Sequence, residues 1–166
     1  ATGERFEAHS SHIEAVAPGM ARIFVYRLGN LHNRTSAASL KLDEMEFGKL
    51  KVNGFVSLEV APGPHILNVR LELEPGNCDL PLEMLGTDTG YFLVESRGEN
   101  AAARTPGSIS FLLSQTILGG IASQIASDIG AAMESEGRLC GGPFSVVRVL
   151  PAAALPVLKD LRESSK

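Results

Sequence analysis

Residues 55–73, FVSLEVAPGPHILNVRLEL, alternate apolar and polar side chains on either side of a Pro-Gly-Pro-His run. A period of two is the signature of a strand with one face in a core, because successive side chains point to opposite sides of a sheet. Val56, Leu58 and Val60, then Leu67, Val69, Leu71 and Leu73, fall on the inward side; Ser57, Glu59, Asn68, Arg70 and Glu72 fall on the other. The stretch predicts two strands joined as a hairpin, with Pro62-Gly63 setting the bend and the register. Its inward stripe supplies core, so the hairpin is scaffold.

The same logic extends in both directions. Leu40 and Leu42 continue the inward stripe upstream, and Asp43-Glu44 and Asn53-Gly54 are turn signals within the connection LDEMEFGKLKVNGF. In ARIFVYR, residues 21–27, both Ile23/Val25 and Phe24/Tyr26 are apolar. A strand apolar on both sides must be covered on both sides, which predicts a central position. EPGNCDLPLEML reads as an irregular crossing, GYFLVESRG as a further strand and FSVVRVL as the last one. In the tail PAAALPVLKDLRESSK, Pro156 is expected at the first position of a short helix that docks Leu155, Leu158 and Leu161 on the sheet.

Residues 108–135, SISFLLSQTILGGIASQIASDIGAAMES, change the period. Leu113, Ile117, Ile121, Ile125, Ile129 and Met133 recur every four residues, a spacing that only a helix gathers on one face. Ser114, Gln115, Ser123, Gln124, Ser127 and Asp128 interrupt the apolar run that a membrane span needs. Gly119, Ser123, Ser127 and Ala131 form a stripe of small residues where a second backbone can approach. The helix is expected to cover the sheet, with contact to a partner or a second copy through that stripe as the alternative. The fold class that follows is mainly β or α+β: an antiparallel β-sandwich-like domain over residues 20–166, a helical insertion at 108–135, a short C-terminal helix, and a polar tether over residues 1–19.

Chemistry is sparse. The net charge of −4, with no run of Lys or Arg, argues against a nucleic-acid surface. His9 and His12 are near each other in a polar stretch, His32 and His65 stand apart, and no zinc-ligand spacing results. No Gly-x-Ser-x-Gly elbow occurs, and Gly141-Gly142 precede a strand rather than a helix, so neither a nucleophile motif nor a phosphate loop is present. No catalytic residue, cofactor or metal site is expected. Cys78 and Cys140 permit one disulfide or two buried thiols. Tyr26 and Arg27 end the first strand together, and an Arg beside an aromatic at a sheet edge could hold a ligand.

The order of these features resembles a known family. MARIFVYR, then SLKLDEMEFGKLKVNGFVSLEVAPGPHILNV, is similar to a bacterial domain of unknown function found in small envelope lipoproteins, with a YR first strand and a PG-x-H hairpin. It is also similar to the wider PEGA-type surface domains. The resemblance covers about residues 20–96, with FSVVRVLPAAALPVLKDLR agreeing with the family's ending. It implies a β-sandwich exported to the cell envelope, tethered to a membrane through a lipidated N-terminal cysteine that precedes this chain, and it carries no catalytic residues. The function expected is a non-enzymatic envelope module that binds a protein partner or a cell-wall component, or self-associates. The alternatives are a hydrolase with an unrecognised site and a secreted protein acting on membranes or partners through residues 108–135.

Overall fold

A computed structural model describes residues 1–8, 16–29, 36–72, 74–96 and 140–164. The expected helix at 108–135, with Gly119, Ser123, Ser127 and Ala131, lies outside the described residues, as do His9, His12, His32 and Leu73.

The described chain is mainly β. Its strands are β1 (Ala21–Arg27), β2 (Ala38–Leu42), β3 (Met45–Leu50), β4 (Gly54–Val60), β5 (Gly63–Leu71), β6 (Asn77–Met84), β7 (Thr89–Ser96), β8 (Phe144–Val149) and β9 (Arg162–Glu163), with helix α1 (Pro151–Leu158) before β9. They form a five-stranded sheet in the order β8-β7-β1-β4-β9 and a four-stranded sheet in the order β3-β2-β5-β6. The four-stranded sheet is antiparallel, whereas the larger sheet is mixed, because β1 runs parallel to β7 and β4 parallel to β9.

The two sheets face each other through the inward stripes. Ile23, Val25, Val56, Phe92 and Val146 from the larger sheet meet Leu40, Leu67, Val69, Leu80 and Met84 from the smaller, all buried. Leu40, Leu42, Val56, Leu58, Val60, Leu67, Val69 and Leu71 all belong to this layer, as their spacing predicts.

The predicted hairpin is not a hairpin. β4 pairs with β1 and β9, whereas β5 pairs with β2 and β6, so the Pro-Gly bend carries the chain from one sheet to the other. Pro62 and Pro64 lack the N–H groups that the first rungs of a ladder would use, and Gly63 takes φ +127°. The two strands therefore meet through side chains across the core.

β3 and β6 lie in stretches that read as a turn-rich connection and an irregular crossing. Asp43 (φ 49°) and Glu44 (φ 70°) make a two-residue turn of the kind that joins twisted antiparallel strands, and Leu42 faces Met45 across it. In β6, Cys78, Leu80, Leu82 and Met84 point inward in strict alternation. Pro81 obscures the pattern in sequence but is tolerated because β6 is an edge strand.

β1 is central, with β7 on one side and β4 on the other. Its second apolar face, Phe24 and Tyr26, joins Phe55, Tyr91, Leu93, Val147 and Val149 in a second core. Among the described residues the cover on that face is Ala153, Ala154 and Leu158 of α1, Leu161 after it, and Phe6 near the chain start. Phe6 meets Phe24 and Phe55 edge-on, at 5.4 Å between centroids in each case. Residues 1–8, read as part of a tether, are docked: Gly3 N donates to Glu163 O, Glu163 N to Glu4 O and Phe6 N to Leu161 O.

Helix α1 begins at Pro151, five residues before the predicted start, and Pro156 sits inside it. Pro151 is preorganised for a first helical position, and the Ala152-Ala153-Ala154 run has the highest helix propensity. That frame turns Ala153, Ala154 and Leu158 to the sheet and leaves Leu155 38% exposed. Leu158 and Leu161 dock as predicted, and Leu155 does not.

Candidate functional site

Tyr26 and Arg27 do not form a surface at a sheet edge. They are consecutive on the central strand, so their side chains leave by opposite faces, and both are buried. Tyr26 lies in the second core, where burial first, and then the charge of Glu95, raise its pKa well above the usual phenol range. Arg27 points between the sheets. Nη1 donates to Ser36 O at 2.7 Å, Nη2 donates to Ser96 Oγ at 3.4 Å, and the guanidinium carbon lies 4.8 Å from the centre of the Phe144 ring. Burial lowers its pKa, yet a guanidinium stays protonated at any ordinary pH. Arg27 ties the ends of β1, β7 and β8 to the start of β2.

Cys78 and Cys140 are joined as a disulfide. The bridge fastens edge strand β6 to the segment entering β8, with Gly141 N and Gly142 N both donating to Asn77 O beside it. It links the two sheets covalently at the end where Arg27 links them by hydrogen bonds.

The outward face of the smaller sheet is polar. Register places Lys49, Ser39, Arg70 and Asn77 in one row across the four strands, and Glu46, Lys41, Asn68 and Asp79 in the next. Ser39 is small and lies between Lys49 and Arg70; its Oγ is buried with no hydrogen-bond partner among the described residues. Lys41, Asn68, Arg70, Glu72 and Asn77 help line a trough of about 350 Å³ there. Asp79 accepts hydrogen bonds from Asn68 Nδ2 at 2.5 Å and Asn77 Nδ2 at 2.7 Å, and Lys49 Nζ pairs with Glu72 at 2.6 Å. That hydrogen bond raises the Lys49 pKa and lowers that of Glu72. Donors and acceptors alternate along this floor, which suits a polar ligand that needs both. The sequence supplied Lys41, Asn68, Arg70 and Glu72 as the solvated stripe of β2 and β5, but β6, which brings Asn77 to the trough, was not recognised as a strand.

His65 is the one described histidine, and it is held on both sides. Nδ1 lies 2.6 Å from Asp43 Oδ2 and Nε2 lies 2.7 Å from Ala61 O, while Ile66 N donates to Asp43 Oδ1 at 2.8 Å. Its pKa is raised, chiefly by the Asp43 hydrogen bond, and that of Asp43 is lowered, chiefly by His65. An imidazole acting as a general base presents a free nitrogen to its nucleophile while the other rests on a carboxylate. Here the nitrogen opposite Asp43 is occupied by a main-chain carbonyl, so the pair is a fastening rather than a catalytic dyad.

Among the described residues no group of three or more His, Cys, Asp or Glu side chains is placed to hold a metal ion, and no helix is long and apolar enough to cross a membrane. Compared with known proteins, the chain matches no family model and no curated relative.

Proposed function

We propose that this domain is a non-enzymatic module of the bacterial cell envelope that binds a protein partner or a cell-wall component on the outward face of its smaller sheet. The observation that carries the binding part is the trough floored by Lys41, Asn68, Arg70 and Asn77. Its mixed donors and acceptors suit a polar, hydroxyl- or amide-rich polymer better than an apolar or strongly anionic one. The location part is supported by the Cys78–Cys140 bridge, since disulfides persist in oxidising compartments and are rare in the cytosol.

The test is co-sedimentation of the purified protein with isolated peptidoglycan, beside cross-linking in cells. The wild type is expected to pellet with the polymer or to capture one defined partner. Replacing Lys41 and Arg70 together by Glu is expected to weaken either interaction about tenfold, the equivalent of roughly 1.4 kcal/mol. A wild type that stays in the supernatant and captures nothing overturns the reading, and an unchanged double variant moves the site away from the trough.

A further inference from the structure

The fastening at His65 joins three parts of the fold. Asp43 belongs to the turn between β2 and β3, Ala61 to the bend where the chain passes from the larger sheet to the smaller, and His65 itself to β5. Both ring nitrogens face oxygen acceptors. A neutral imidazole has a single N–H and can satisfy only one of them; the imidazolium donates to both. The ring itself is largely shielded, with 13% of its side chain exposed, while its partners Asp43 and Ala61 lie at the surface. The charged groups that face it are Asp43 from the turn and Glu83 from β6, both anionic and both favouring the charged ring.

We propose that His65 is a proton-operated latch: as an imidazolium it fastens the sheet-crossing at Ala61 to the turn at Asp43, and on losing its proton it releases Ala61 while staying on Asp43. The order of release follows from charge. The proton that remains is better placed on Nδ1, against a carboxylate, than on Nε2, against a neutral carbonyl. The unprotonated Nε2 then sets a lone pair against Ala61 O, and the contact becomes repulsive. The crossing at Ala61, Pro62 and Gly63 loses one of its ties, and the β2–β3 turn keeps its own through Ile66 N and Asp43 Oδ1.

The device acts in one direction. Because the raised His65 pKa means that the native state holds the proton more tightly than the unfolded chain, the contribution is complete below the ordinary value of 6.5 and is lost as pH rises through the native midpoint. Asp43, with its pKa lowered from 3.8, contributes above that value and loses its share as pH falls. The latch is therefore closed in mildly acidic solution and opens as pH rises through the native midpoint.

Nitrogen NMR of the histidine rings across a pH series tests this, with His65 assigned by the signal missing in His65→Gln. The expected result is a midpoint above 6.5 and, at high pH, a neutral ring protonated on Nδ1, opposite to the Nε2–H form that free imidazole side chains prefer. Asp43→Asn is expected to lower the midpoint by about one unit or more and to restore the Nε2–H form. A midpoint at or below 6.5, or a neutral ring carrying its proton on Nε2 in the wild type, overturns the proposal. Thermal unfolding supplies an independent reading. The difference in Tm between wild type and His65→Gln is expected to be largest near pH 5 to 6 and to shrink as pH rises through the midpoint; a difference constant with pH overturns it equally.

Discussion

The guanidinium of Arg27 lies 4.8 Å from the centre of the Phe144 ring while Nη1 donates to the carbonyl of Ser36. A buried cation held by a ring face and a main-chain oxygen is costly to disturb, because truncation leaves both a cavity and an unsatisfied carbonyl. Arg27→Ala is expected to lower stability by about 3 kcal/mol or more. Arg27→Met keeps the volume and loses only the polar contacts, and is expected to cost about 1 to 2 kcal/mol. Urea denaturation of both variants checks this, and equal losses would mean that the polar contacts alone account for the residue.

Phe6 is the second site where a single truncation is informative. Its ring is buried against Phe24 and Phe55, so Phe6→Ala is expected to cost about 3 kcal/mol and to loosen the chain start from Leu161 and Glu163. Proteolysis of residues 1–8 should accelerate in the variant. A variant as stable as the wild type would return this segment to the role of a tether.

The Cys78–Cys140 bridge closes a sequence separation of 62 residues. On the chain-entropy account, opening a loop of this length removes about 4 kcal/mol. Reductant, or replacement of both cysteines by Ala, is expected to lower Tm by roughly 10 °C on the size scaling of small domains. Melting curves with and without reductant decide it; coincident curves would show that the bridge does not form in the purified protein.

Two glycines with left-handed backbone separate strain from collision. Gly19 (φ +79°) has open space where a Cβ would stand, whereas a Cβ on Gly76 (φ +88°) would lie 2.6 Å from Gly141 O. Gly19→Ala is expected to cost about 1 kcal/mol from backbone strain alone. Gly76→Ala is expected to cost more, because the loop at Gly141 and Gly142, adjacent to the disulfide, must shift. Chemical denaturation of the two variants ranks them.

Alkaline titration should distinguish the two tyrosines from free phenols. Burial raises the pKa of both Tyr26 and Tyr91, Tyr26 more strongly and with a further push from Glu95. Since the unfolded chain ionises near the ordinary value of 10.0, stability is full below that pH and declines above it. Tyr26 is expected to ionise with unfolding rather than before it, and absorbance of two phenolates in a still-folded protein would contradict its burial.

How much of this was legible in the sequence depends on the residue. Cys78 and Cys140 left both a bridge and two thiols open, because pairing is a matter of distance between distant segments. The trough could be seen only as the polar stripe of Lys41, Asn68 and Arg70, since its rows require neighbours that sequence order does not supply. His65 stands apart from the other histidines in the sequence, and only the fold brings Asp43 and Ala61 to its two nitrogens.

What the sequence determined by itself is the inward set of side chains. Leu40, Leu42, Val56, Val60, Leu67, Val69 and Leu71 alternate with polar neighbours, and burying them dictates extended chain with one face in a core. The doubly apolar β1 likewise required cover on both sides. Tertiary structure decided which strands pair and what provides the cover. Val60 and Leu67 read equally well as neighbours in one ladder or as opposing faces of two, because alternation fixes a side chain's face and is silent on its hydrogen-bond partner. Pro81 is compatible with β6 only because that strand ended at an edge, and Phe6 became core only because β1, β4 and the chain end at Leu161 converged on it.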